Sequence, residues 1–210
     1  MAVSVVDLGV SNIESVMRAL ARIEVDAKIV RIPDDLASSR AIILPGVGTF
    51  SAGMDALCQT GLGDALQKAA TDRRPILGIC LGFQLLASSG DEGGERVGLG
   101  LIPGRVTRLK AGEHERVPNV GWCDVTPVSR SLLFADDRER PDSFYFLHGY
   151  HVICDVESDV IATFRFDGRS HTAVAQHQNV VGVQFHPEKS QEVGLALLHR
   201  FCVADRAAEA

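Results

Sequence analysis

The sequence predicts an α/β protein: a single open, mostly parallel sheet with helices on both faces, extended by antiparallel strand additions in the C-terminal half. Three observations carry this reading. Up to about residue 89, short β-type apolar runs alternate with stretches of helical spacing, the signature of strand–helix–strand units whose strands align in parallel. From residue 98 to residue 185 the texture changes to several short runs separated by turn residues. No internal repeat or low-complexity linker divides the 210 residues, a length suited to one sizeable domain, so residues 1–210 are read as one unit.

In chain order, residues 3–8 form an apolar first strand. The segment before Asp7 lacks the basic start and small-residue cleavage site of a signal peptide. Asn12 caps a helix that runs to Leu20. Residues 27–32 and 41–44 are the next strands, 64–70 a helix, 75–79 a short buried strand and 82–88 another helix. The acidic, Gly-rich piece 90–95 reads as an exposed loop. Residues 98–104 read as a turn before a strand, since they lack both the third glycine of a dinucleotide fingerprint and the Gly-Lys-Ser/Thr end of a P-loop. Strands are expected at 105–109, 144–154, 160–166 and 180–185, and a last helix at 192–203. The acidic run 136–139 is expected on a solvated face.

Charge and composition exclude several classes. A net charge of −6 with no Lys/Arg cluster argues against a phosphate-backbone footprint, hence no nucleic acid. No segment approaches the ~18 apolar residues that span a bilayer, hence no membrane. Five cysteines, odd in number and without a C-x-x-C pair, fit reduced thiols of the cytoplasm better than a disulfide framework or a zinc site. His148 and His151 are three apart in one predicted strand, so they face opposite sides and make poor joint metal ligands. No metal or cofactor is expected.

Cys80 stands out from the other four. It lies in Gly78-Ile79-Cys80-Leu81-Gly82, where a strand turns sharply into a helix, the form of a nucleophile elbow. Glycines on either side supply the tight turn, and the first free N–H groups of the helix favour the reactive thiolate. Pro45-Gly46-Val47-Gly48 follows another strand. Mobile peptide planes there can turn an N–H toward a developing oxyanion, and sites of parallel sheets form at this end of the strands. Far downstream stands His186-Pro187-Glu188. Proline keeps His186 extended, and a residue two positions on can reach back and fix the histidine tautomer.

Gly78 to Gln84 together with Gln184 to Glu188 resembles the class I (triad) glutamine amidotransferases, with Pro45-Gly46-Val47-Gly48 similar to their oxyanion loop. Within that class the resemblance is nearest to the glutaminase subunits of imidazole glycerol phosphate synthases. It runs through residues 7–16, 99–104, 117–122, 144–148 and 186–190. The first loop departs from the usual pattern, reading Asp7-Leu8-Gly9-Val10-Ser11-Asn12, and Asn119 and Cys123 stand where the family commonly has His and Asn.

The resemblance implies a single flavodoxin-like domain that hydrolyses glutamine without a cofactor. Cys80 would be the nucleophile, His186 the base and Glu188 its orienter. Gly46, Val47 and Leu81 would form the oxyanion hole, and Gly48 and Gln84 would hold glutamine. Asn12, Trp122, Tyr145 and Lys189 would dock a (β/α)8 cyclase subunit in a heterodimer that consumes the ammonia in histidine biosynthesis. Alternatives are a paralogous subunit feeding another synthase, such as one amidating surface sugars, a partner-independent cysteine hydrolase, and a non-catalytic binding subunit.

Overall fold

The computed structural model describes residues 2–9, 12–112, 116–129, 131, 133–134 and 141–203. Val10 and Ser11 of the first loop, and the acidic run 136–139, lie outside the described residues.

In chain order the first half comprises β1 (Val3–Val6), α1 (Ile13–Arg22), β2 (Ala27–Val30), α2 (Pro33–Leu36), β3 (Ala41–Gly46), α3 (Phe50–Thr60), α4 (Leu62–Thr71), β4 (Ile76–Cys80) and α5 (Leu81–Leu86). The second half comprises β5 (Ala87–Gly90), β6 (Arg96–Val97), β7 (Ile102–Arg108), β8 (Asn119–Pro127), β9 (Asp142–His148), β10 (Tyr150–Cys154), β11 (Val160–Phe166), β12 (Arg169–His177), β13 (Val180–Val183) and α6 (Gln191–Val203).

The main sheet has the order β2-β1-β3-β4-β13-β12-β11-β8-β9. Its first five strands are parallel and the remainder antiparallel, as the change of texture along the sequence foretells. The parallel part keeps the 2-1-3-4-5 order of flavodoxin-like folds, with β13 in the fifth place.

Alternation along the central strands divides the interior into two cores. Val3 and Val5, Ala41 and Ile43, and Leu77 and Ile79 point to the face covered by Val16 and Leu20 of α1 and by Leu197, Leu198 and Phe201 of α6. Val6, Ile42, Leu44 and Ile76 point the other way, to Leu57 of α3, Leu66 of α4 and Phe83 of α5. Strands buried on both faces read as unbroken apolar runs, which is why 41–44 and 75–79 are so plain in the sequence.

A second sheet, β10-β7-β5-β6, is the part that sequence reading did not anticipate. The predicted helix 82–88 ends early, at Leu86, and the chain passes straight into β5. The predicted strand 144–154 is two strands, broken at Gly149: β9 pairs with β8 in the main sheet and β10 with β7 in the second. His148 and His151 therefore belong to different sheets, and both are buried instead of facing opposite sides of one strand.

Candidate active site

The carboxyl ends of β3, β4 and β13 converge on one cavity of about 170 Å³, lined among others by Val47, Gly48, Cys80, Leu81, Gln84 and His186. Cys80 ends β4 with φ +54° and ψ −108°, and α5 begins at the next residue. A left-handed φ on a non-glycine residue is a strained conformation, the mark of a nucleophile elbow. Its flanking glycines are required, as expected, because the turn leaves no room for a Cβ. A Cβ on Gly82 would lie 1.7 Å from the Leu44 carbonyl oxygen, and one on Gly78 would lie 2.7 Å from that of Gly82. The elbow is thereby pressed onto β3. Across the β3–β4 ladder Gly46 pairs directly with Cys80, and beyond it Gly48 takes φ +113°.

His186 follows β13, and the chain then makes a single 3-10 turn over Pro187–Lys189. The expected extended geometry holds for His186 alone. The turn is what brings Glu188 back, so that His186 Nδ1 donates to Glu188 Oε1 at 2.8 Å, with both side chains only 3% exposed. Ser190 locks this turn. Its hydroxyl donates to the His186 carbonyl at 2.6 Å and accepts from the Tyr145 N–H at 3.0 Å, while the His186 N–H donates to the Tyr145 carbonyl at 2.9 Å.

With Nδ1 engaged, Nε2 is buried and makes no formed hydrogen bond. Burial, the strongest single influence on the His186 ring, favours its neutral form. Interactions with Cys80 and Glu188 together outweigh burial and lift its pKa to about 10. Because Nε2 forms no completed bond, the influence of Cys80 is best read as the approach of the sulfur across the cavity. The thiol itself rests toward the Leu147 carbonyl at 3.7 Å and accepts from Gln184 Nε2 at 3.8 Å.

Gln84, one turn into α5, donates to the Tyr150 carbonyl at 2.9 Å and to Gln184 Oε1 at 3.3 Å. Two titratable groups outside the expected site residues also line the cavity. Glu92 sits in the loop taken as merely exposed. It accepts the Phe50 N–H at 2.8 Å, and partial burial raises its pKa against that hydrogen bond. His148 donates from Nδ1 to the Tyr150 carbonyl at 2.8 Å, and its Nε2 lies 3.3 Å from Asn119 Nδ2, the arrangement of a neutral ring. Burial drives its pKa down to about 3, with the neighbouring histidines His151, His186 and His171 adding to the effect and the Tyr150 hydrogen bond opposing it.

Trp122, Tyr145 and Lys189 form a cluster outside the cavity. The two aromatic rings meet edge-on at 6.1 Å, and the Lys189 ammonium lies 5.9 Å from the Tyr145 ring centre. Asn12 is the exposed N-cap of α1, without the side-chain capping bond expected of it.

A buried imidazole, oriented by a carboxylate and sharing a cavity with a cysteine on a strained elbow, is equipped for acyl transfer from an amide. The model of the class-I glutamine amidotransferase family matches residues 4–204. The chain belongs to this family. As an amidotransferase it is 43% identical to the imidazole glycerol phosphate synthase subunit HisH of Symbiobacterium thermophilum, over 92% of this chain and 90% of that protein. It is 37% identical to the HisH subunit of Leptospira interrogans, over 95% and 98%. A 42% match to the chloroplastic imidazole glycerol phosphate synthase hisHF of Arabidopsis thaliana covers 95% of the amidotransferase but only 33% of the longer plant protein. Among solved structures, a glutamine amidotransferase superposes with a TM-score of 0.76 at 21% identity, over 99% of this chain and 100% of the other. PurLQS from Thermotoga maritima gives 0.73 at 22%, over 95% and 96%. At such identities the structural matches speak to the fold.

Proposed function

We propose that this amidotransferase is the glutaminase subunit of an imidazole glycerol phosphate synthase, with Cys80, His186 and Glu188 as its triad. The observation that carries the reading is the 2.8 Å bond from His186 Nδ1 to Glu188, which leaves Nε2 unpartnered in the cavity that holds Cys80. With the His186 ring protonated below its raised pKa, Nε2 already holds the Cys80 proton, and the sulfur attacks the side-chain amide carbon of glutamine. The C–N bond breaks, Nε2 returns the proton to the departing nitrogen, and ammonia leaves a γ-glutamyl thioester on Cys80. Water, deprotonated by the same nitrogen, then releases glutamate and restores the thiol.

The oxyanion of each tetrahedral intermediate falls to backbone N–H groups of Leu81 and of the Gly46-Val47 segment, where one donor is worth ~10²–10³ in rate. Gly48 and Gln84 hold the substrate. We add Glu92, whose carboxylate at the rim suits the glutamine ammonium group.

The ammonia acceptor is a (β/α)8 cyclase subunit in the reducing cytoplasm. Support for its docking face comes from the β8–β9 ribbon, where Val120 and Leu147 pair across the strands, as do Trp122 and Tyr145. Val120, Trp122 and Leu147 are exposed apolar residues on one side of this ribbon, and Leu147 also lines the catalytic cavity. Lys189 borders this face through Tyr145, and Asn12 caps the neighbouring helix.

The test is glutamine hydrolysis by the purified chain, alone and with the histidine-pathway cyclase barrel and its ribulosyl-nucleotide ligand. A large stimulation that Cys80→Ala abolishes, while ammonium-dependent cyclase activity survives, is the expected result. No stimulation, with Cys80 still labelled by a glutamine-analogue electrophile, would move the assignment to another ammonia-consuming synthase.

A further inference from the structure

The second sheet builds a larger cavity that the glutaminase reaction does not use. It measures about 420 Å³ and lies between β7, β10 and the start of β12. Four cationic side chains line it: Arg105, Arg108 and Lys110 from β7 and the residues just after it, and Arg169 from β12. In a chain of net charge −6 this is a marked local reversal. Three of the cations come from residues 105–110, and the fourth, Arg169, joins them from β12. Arg105 and Thr107 pair with Ile153 and His151 of β10, and Arg108, Lys110 and Arg169 line the same cavity.

Two features separate this place from a solvated basic face. The cavity is concave and of a size that fits a small ligand. Its wall also contains His151, only 7% exposed, whose Nδ1 has no hydrogen-bond partner. A buried polar atom left without a partner is costly, and most such atoms are satisfied. The His151 ring stands edge-on to that of His171 at 4.7 Å, so two imidazoles join the cations around the same space. Burial and the His171 ring push the His151 pKa down to about 4, and the Val152 backbone pulls the other way without completing a bond to Nδ1. Thr107 donates its hydroxyl to the Asp91 carboxylate at 3.3 Å. Among the described residues, none of those four cations makes an ion pair.

We propose that this cavity is a binding site for a phosphate-bearing small molecule, separate from the catalytic cavity. Guanidinium groups present paired N–H donors that match phosphate oxygens. Four cations suit a dianion or a more highly charged group, and the remaining volume admits an organic portion.

Titration calorimetry of the full chain with inorganic pyrophosphate, at near-physiological salt, tests this. Saturable binding is expected, weakened about tenfold or more in Arg105→Gln/Arg169→Gln, since each lost charge-assisted contact is worth about that much. Both positions are exposed, and electrophile labelling of Cys80 checks that the variant is folded. Ring ¹⁵N spectra supply a second readout, in which the His151 signal should move on saturation. Non-saturable heats with the wild-type chain, equal binding by the double variant, or a static His151 signal would each overturn the site.

Discussion

Cys80 carries the strain of the site on its own backbone. A residue with a Cβ held at φ +54° and ψ −108° is destabilised by on the order of 1–3 kcal/mol, and glycine is relieved of most of that. Glycine has its own entropic cost of about 0.5–1 kcal/mol. Cys80→Gly should therefore be more stable than Cys80→Ala by about 1 kcal/mol in chemical denaturation, with both devoid of glutaminase activity; Ala the more stable would refute the strain argument. Glu92→Gln keeps an acceptor for the Phe50 N–H but removes the charge. It should raise KM for glutamine about 10–100-fold with kcat little changed, the pattern of lost ground-state binding. A kcat loss at constant KM would remove Glu92 from substrate recognition. These residues differ in how visible they are from sequence. The elbow spans five residues and His186-Pro187-Glu188 three, so their chemistry is local and can be read from a string. Glu92 reaches the cavity from the β5–β6 connection of the second sheet and His148 from the end of β9 in the main sheet, and a sequence lists them among loop acids and strand histidines.

The turn after β13 depends on Ser190, which is fully buried and bonds both His186 and Tyr145. Ser190→Ala leaves the Tyr145 N–H unmatched and the His186 carbonyl with only the Lys189 N–H, for an expected cost of about 1–3 kcal/mol. We also expect a fall in kcat larger than any change in KM, because the His186–Glu188 turn loses its clamp while the proposed substrate contacts of Gly48 and Gln84 stay. An unchanged kcat in a variant of lowered stability would confine Ser190 to folding. Among the elements, strands buried on both faces and β11 could be read directly from sequence. β8 was not, because Pro118, Gly121 and Pro127 punctuate it, and β12 opens with the polar residues Arg169-Ser170-His171-Thr172. The break at Gly149 was missed for the opposite reason: apolar residues continue on both sides, and only pairing partners show that two sheets are involved.

At the scale of the whole molecule, buried histidines set the response to pH. The folded chain holds His148 and His151 with pKa near 3 and 4, below their unfolded value of about 6.5, so their contribution is present above pH 6.5 and lost as pH falls toward 4. His186 runs the other way: with its pKa raised to about 10, its contribution is full below pH 6.5 and lost as pH rises toward 10. Thermal stability should thus peak near pH 6.5, and His151→Asn should flatten the acid side; a wild-type curve flat from pH 5 to 9 would contradict these assignments. The sheet places a further restriction on the molecule. Gly46 is paired with Cys80, and any Cβ there would meet that of Leu81 at 3.0 Å, so the two loops share their last fixed point. A partner that reshapes the loop without unzipping the sheet has only the peptide planes beyond Gly46 to rotate. The switch available to this fold is a rotation of one or two amides, invisible to measurements of overall shape and readable only from the amide signals of Val47 and Gly48.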